Sequence, residues 1–169
     1  SIFVDNFLSW RNMQGLALAV TTIGMVACTM LFCLAAGDFD LSIGSVVACA
    51  GVLGAVVMTR TDSIALGILA ALGLGAASGF VNGFVVARLR INALITTLAT
   101  MQIVRGLGFI ISDGKAVGIG QEGFFVLGNS ALFGVPTPVW ITAACFITFG
   151  FILNRTVFGR DTLAVIPFK

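Results

Sequence analysis

The residues able to do chemistry in this chain are few, and they stand in two groups. Asp38, Asp40 and Ser42 fall within Gly37-Asp38-Phe39-Asp40-Leu41-Ser42-Ile43-Gly44. Carboxylates supply acceptors and the hydroxyl adds a donor; the set suits either a helix N-terminus or the donors of a polar solute. Two readings stay open for this stretch. It is a solvated turn in which Asp40 or Ser42 caps the next helix, or it is a break inside a membrane whose carboxylates face a water-filled path. The second group is Asn82, Asn92, Thr96, Thr97, Thr100 and Gln102, followed by Arg105. Asn92, Thr96 and Thr100 are spaced at four-residue intervals and share one helix face. Such a stripe lines a path or bonds one helix to another, and a threonine also bonds its own helix backbone. Arg105 is a single cation inside a long apolar run. It either faces protein or water, or snorkels its guanidinium to the interface.

Other chemistry is excluded by what is missing. The sequence has no His and no Tyr, which removes imidazole as a general base and as a metal ligand. No catalytic, cofactor-binding or metal site is expected, and the chain reads as a non-enzyme. Cys28, Cys33, Cys49 and Cys145 lie in apolar runs without zinc spacing and read as small packing residues. Gly118-Ile119-Gly120-Gln121-Glu122-Gly123 matches a dinucleotide-binding pattern, but no strand–helix alternation surrounds it, so no nucleotide role follows. A net charge of +2 with dispersed cations argues against a nucleic-acid surface.

The elements that position these groups must live in hydrocarbon. Charged residues make up 9% of the chain, against about 25% in soluble domains, too few to cover a water-facing surface. Lipid tails accept the 59% of residues that are apolar. Five long apolar stretches cover residues 14–36, 41–58, 64–87, 91–111 and 137–153. The first holds no charge and reaches roughly 34 Å, enough for a hydrocarbon core of about 30 Å. None alternates in polarity as barrel strands do. The expected fold is all-α: a polytopic bundle of about five spanning helices in one transmembrane domain over residues 1–169. The Gly-rich stretch Ser112–Pro136 is expected on the membrane surface or as a short docked helix.

Orientation follows from Lys and Arg. Alternating spans put Arg88, Arg90, Arg155, Arg160 and Lys169 on one side, assigned to the cytoplasm, and Arg11, Arg60 and Lys115 on the other. Trp10 and Trp140 then share the outer interface. In the third span Gly67, Ala71, Gly75, Gly79 and Gly83 recur every four residues. They form a smooth stripe that lets another helix approach its backbone, within the subunit or between subunits.

Four stretches carry a resemblance: Gly37–Gly44, Ile91–Gly106, Ile111–Gly118 and Thr156–Arg160. They are similar to sugar ABC-transporter permeases of the ribose/arabinose/galactoside type, with the arabinose branch nearest, and the likeness runs from about Phe7 to Ala164. The resemblance implies the translocation subunit of an importer, with L-arabinose as its sugar, in the bacterial inner membrane. The implied partners are a second permease copy, cytoplasmic ATP-binding subunits, a periplasmic sugar-binding protein and the lipid bilayer, with no nucleic acid. After Phe158-Gly159-Arg160 the family runs into a Gly-Gly-Asn-containing stretch that couples to the ATPase. Here the residues are Asp161-Thr162-Leu163-Ala164-Val165-Ile166-Pro167-Phe168-Lys169. The chain is thus expected to be the front part of a longer permease. The competing readings are a transport-inactive fragment and a pore-forming membrane protein. If the small-residue stripe is an interface, Gly79→Leu should reduce recovery of assembled protein far more than Ala70→Leu; equal losses would remove the stripe from the account.

Overall fold

The computed structural model describes residues 7–164, with all side chains except those of Leu127, Asn129, Phe158 and Leu163. Lys169, counted in the charge argument, lies outside the described residues. The elements are α1 Trp10–Ala35, α2 Ile43–Thr61, α3 Ile64–Leu89, α4 Ala93–Ser112, α5 Glu122–Asn129, β1 Ala131–Leu132, β2 Val135–Pro136, α6 Thr137–Arg155 and α7 Val157–Ala164. Helices α1, α2, α3, α4 and α6 are long and apolar enough to cross a membrane. The chain is therefore a polytopic helical membrane protein, as its composition required. Large apolar side chains point outward along these helices; Phe80 is 74% exposed and Ile110 75%. In water such faces would be costly, whereas in hydrocarbon they are solvated.

Side-chain caps mark the starts of α1, α3 and α4. The first helix starts at Trp10, four residues before the uncharged run, because the Ser9 hydroxyl accepts from the Asn12 N–H at 3.4 Å. Ser63 caps α3 and Asn92 caps α4 in the same way. Asp62, Arg90 and Asp113 close α2, α3 and α4 in the left-handed conformation, which ends each helix sharply. The long link contains the short helix α5 and a two-residue hairpin, β1 paired antiparallel with β2.

The chain forms two compact units. One comprises residues 38–124, holding α2, α3 and α4. Here α3 runs antiparallel to α2: Ser42 meets Asn82 at one end, and Met58 lies against Gly67 at the other. Helices α2 and α4 run parallel, with Phe39 beside Thr97 and Cys49 beside Gly108. Towards the other end of α2, Gln121 Nε2 donates to the Met58 carbonyl and to Asp62 Oδ1, both at 3.1 Å, which ties the link after α4 to the α2–α3 turn.

The other unit comprises, among the described residues, 7–37 and 125–164. Its helices α1 and α6 run parallel, with Thr142 against Thr21, Phe146 against Gly24 and Phe149 against Phe32 in turn. The Trp10 indole packs beside Gly134, and Trp140 Nε1 donates to the Leu132 carbonyl at 3.3 Å. Both indoles thus sit at one end of this unit, beside the hairpin. Parallel α1 and α6, and parallel α2 and α4 with α3 reversed, are the directions that successive crossings of one bilayer demand.

The small-residue stripe of α3 falls into two environments. A Cβ on Gly67 would meet the Gly54 carbonyl at 2.7 Å and the Met58 side chain, and Ala71 packs beside Gly54. A Cβ on Gly75, Gly79 or Gly83 would meet nothing within 4 Å. Any loss of assembly caused by Gly79→Leu must therefore arise from a surface beyond α2 and α4. Stability separates the two halves of the stripe. Gly67→Ala should destabilise by about 1–3 kcal/mol through overpacking. Gly75→Ala should stabilise by up to about 1 kcal/mol through helix propensity. Thermal unfolding in detergent checks both, and shifts of the same sign would contradict this packing.

Candidate functional site

The site is built where α2 begins. Residues 38–42 precede α2 and are not helical. Helix α3 is 26 residues long and α2 is 19, so α3 extends past the start of α2. Asn82 lies seven residues before the end of α3 and Thr100 seven residues after the start of α4. At about 1.5 Å per residue, both stand roughly 10 Å inside the α3–α4 hairpin. There they meet Ser42.

A directed chain of hydrogen bonds results. Thr100 Oγ1 donates to Asn82 Oδ1 at 2.6 Å. Asn82 Nδ2 donates to Ser42 Oγ at 3.0 Å. Ser42 Oγ donates to Asp40 Oδ1 at 2.6 Å, and the same oxygen accepts the Ser42 backbone N–H at 2.8 Å. The carboxylate fixes the direction. An ionised carboxyl can only accept, so Ser42 must donate to it and accept from the amide. That sets the Asn82 amide orientation and leaves its oxygen for Thr100. Ser42 and Asn82 are 1% and 6% exposed, so these bonds form away from solvent, where an unmet donor is expensive. Thr97 Oγ1 adds a longer contact, 3.5 Å, to the Phe39 carbonyl.

The structure thus unites Asp40, Ser42, Asn82 and Thr100 from three elements. Ser42 stands at the N-cap position of α2 but makes no cap bond; its hydroxyl is used by Asp40 and Asn82 instead. Asp38 is exposed beside them. Asn92 and Thr96 serve α4 itself. Asn92 Oδ1 accepts from the Leu94 N–H at 2.9 Å, and Thr96 Oγ1 bonds the Asn92 carbonyl at 3.1 Å. The four-residue stripe along α4 is therefore divided: Thr100 reaches α3, while Asn92 and Thr96 satisfy local backbone. Gln102 is exposed on α4.

Arg105 belongs to a second feature, a cavity of about 340 Å³ between α2 and α4. The cavity is also lined by Ser45, Ser112 and Lys115, which the sequence reading did not single out. A signal for Ser45 was present: it follows Ser42 by three residues and so shares its side of α2. Ser45 is 5% exposed, and its hydroxyl has no partner among the described residues. Lys115 had no such signal, because it lies beyond α4 and the turn after Asp113 brings it to the groove.

Residues 12–166 match the family described as branched-chain amino acid transport system / permease component. The chain belongs to this permease family. Among relatives, it is 64% identical to the L-arabinose transport system permease protein of Escherichia coli (strain K12), over 98% of this chain and 50% of that one. It is 50% identical to the L-arabinose ABC transporter permease protein of Azospirillum brasilense, over 98% and 49%. It is 32% identical to the ribose import permease protein of Escherichia coli (strain K12), over 98% and 53%. The chain spans about half the length of these relatives. No solved structure matches it. The relatives are named as permeases, transport proteins rather than enzymes.

For this permease-family chain, the hydrogen-bond chain makes a measurable claim. Asn82→Ala should destabilise by about 1–3 kcal/mol, because Ser42 and Thr100 each lose a buried partner. Combined with Thr100→Val, the losses should fall short of their sum by about 0.5–3 kcal/mol. A double-mutant cycle of thermal unfolding in detergent reads the coupling; strict additivity would separate the two residues.

Proposed function

We propose that the chain is the front part of a sugar permease, the membrane-spanning translocation subunit of an ABC importer for L-arabinose. The observation that carries this reading is the 64% identity, over 98% of the chain, to a protein named for L-arabinose transport. A bacterial inner membrane is its setting. A second permease copy, cytoplasmic ATP-binding subunits and a periplasmic sugar-binding protein complete the transporter. ATP binding and hydrolysis shift the pair between inward-open and outward-open packings.

The geometry supports a role for residues 38–42 in this transport. Asn82 and Thr100 hold the segment about two turns inside the hairpin of α3 and α4. With those helices spanning the bilayer, the segment is a break below the interface rather than a solvated turn. Irregular backbone at that depth belongs beside protein or a water-filled cavity. The Ser42, Asn82 and Thr100 side chains satisfy one another. They position the segment with Asp40 Oδ1, and Asp38 and the second carboxylate oxygen of Asp40 are the acceptors left to meet sugar hydroxyls.

Uptake by the full permease, reconstituted with its ATP-binding subunits and sugar-binding protein, tests the proposal. Wild-type vesicles should accumulate labelled L-arabinose in an ATP-dependent manner and in preference to ribose. Asp38→Asn and Asp40→Asn should raise the sugar concentration needed for half-maximal uptake. Phe39→Cys, in a permease background cleared of native cysteines, should react with a membrane-impermeant thiol reagent and be protected by L-arabinose. Unchanged uptake in both Asn variants would remove the carboxylates from the path. A preference for ribose would overturn the substrate.

A further inference from the structure

The cavity between α2 and α4 is amphipathic and carries positive charge. Arg105 and Lys115 both line it, with Ser112, while Ala48, Val52 and Phe109 form apolar wall. No carboxylate lines it. The nearest in sequence, Asp113, lines a separate cavity with Arg60. Arg105 and Lys115, both exposed, therefore line one space without an anion from the cavity wall. Such a pair calls for an anionic guest. A neutral sugar would leave both charges uncompensated.

Depth indicates the source of the anion. Arg105 lies seven residues before the end of α4, about 10 Å below it along the axis, and Lys115 lies three residues beyond that end. A guanidinium on its flexible stem reaches back towards the interface, where the ammonium already stands. The apolar side chains Ala48, Val52 and Phe109 line the stretch of groove between the Arg105 backbone and the end of α4. The arrangement matches an amphipathic anion, with a phosphodiester near the interface and hydrocarbon along the groove. We propose that the α2–α4 groove binds an anionic phospholipid, its phosphate held by Arg105 and Lys115 with the Ser112 hydroxyl beside them and an acyl chain along Ala48, Val52 and Phe109. This site is separate from the hydrogen-bond chain around Asn82, none of whose residues lines the groove. It stands whether or not the transported molecule is L-arabinose.

The test uses the purified chain in detergent, melted with added phosphatidylglycerol, phosphatidylcholine or inorganic phosphate. Phosphatidylglycerol should raise the melting temperature; phosphatidylcholine and inorganic phosphate should not. Arg105→Gln and Lys115→Gln should each weaken the apparent lipid affinity roughly fivefold, and the double variant roughly 25-fold, at about 1 kcal/mol per cation. Arg60→Gln removes the same charge outside the groove and should leave the affinity unchanged. Arg105→Lys keeps the cation and should retain most of it, which separates charge loss from misfolding. Equal shifts with phosphatidylcholine would overturn the proposal, as would full affinity in the double variant or an equal loss in Arg60→Gln. A shift produced by inorganic phosphate alone would assign the groove to a free anion instead.

Discussion

A peptide group in hydrocarbon has no solvent to bond, and the rest of this structure answers to that fact. Where the chain is helical the need is met locally. Where the chain leaves the helix at residues 38–42, neighbouring side chains supply part of what the helix would have. Thr97 reaches the Phe39 carbonyl, Asp40 takes the Ser42 N–H, and Asn82 and Thr100 complete the set. Those partners exist at that level because α3 is longer than α2. The difference in helix length and the buried polar chain are one feature seen twice.

The same solvent removes the hydrophobic drive between helices and leaves contact distance as the lever. Gly54 and Gly67 bring α2 and α3 together, and Gly24 admits Thr142 and Phe146 of α6. After α6, Gly159 lies against the carbonyls of Ile152 and Leu153, where no Cβ fits; α7 turns back there, with Thr156 Oγ1 accepting the Gly159 N–H at 3.2 Å. Small residues are thus used where a neighbouring backbone or side chain comes close, rather than wherever they recur in the sequence. Gly75, Gly79 and Gly83 keep the four-residue period of Gly67 yet face open space.

Much of the fold was legible without coordinates. Hydrocarbon compatibility is a property of composition and run length, so the five spans, their helical type and most of their limits could be read directly. One missed limit was set by a cap, Ser9 before α1, where a single side-chain bond accompanies a start four residues ahead of the hydropathy. The candidate site was half legible. Asp40, Ser42, Asn82 and Thr100 were recognisable as polar groups out of place, but their mutual contact was not, since Asn82 bonds Ser42 across 40 residues. Spacing made Asn92, Thr96 and Thr100 look like one stripe. Hydrogen-bond competition divided it, because two of the three serve the backbone of α4.

By itself the sequence determined the solvent. A chain with 9% charge and 59% apolar residues can expose its long runs to lipid, and in lipid those runs must be helices. The motifs of those runs also determined the family. Tertiary structure decided which polar groups meet, which small residues touch a backbone and which cations share a cavity. The physical reason is that helical period places a residue on a face, while helix length and offset place that face against a partner. Offsets such as that between α2 and α3 arise from the packing of whole helices, so local spacing does not encode them.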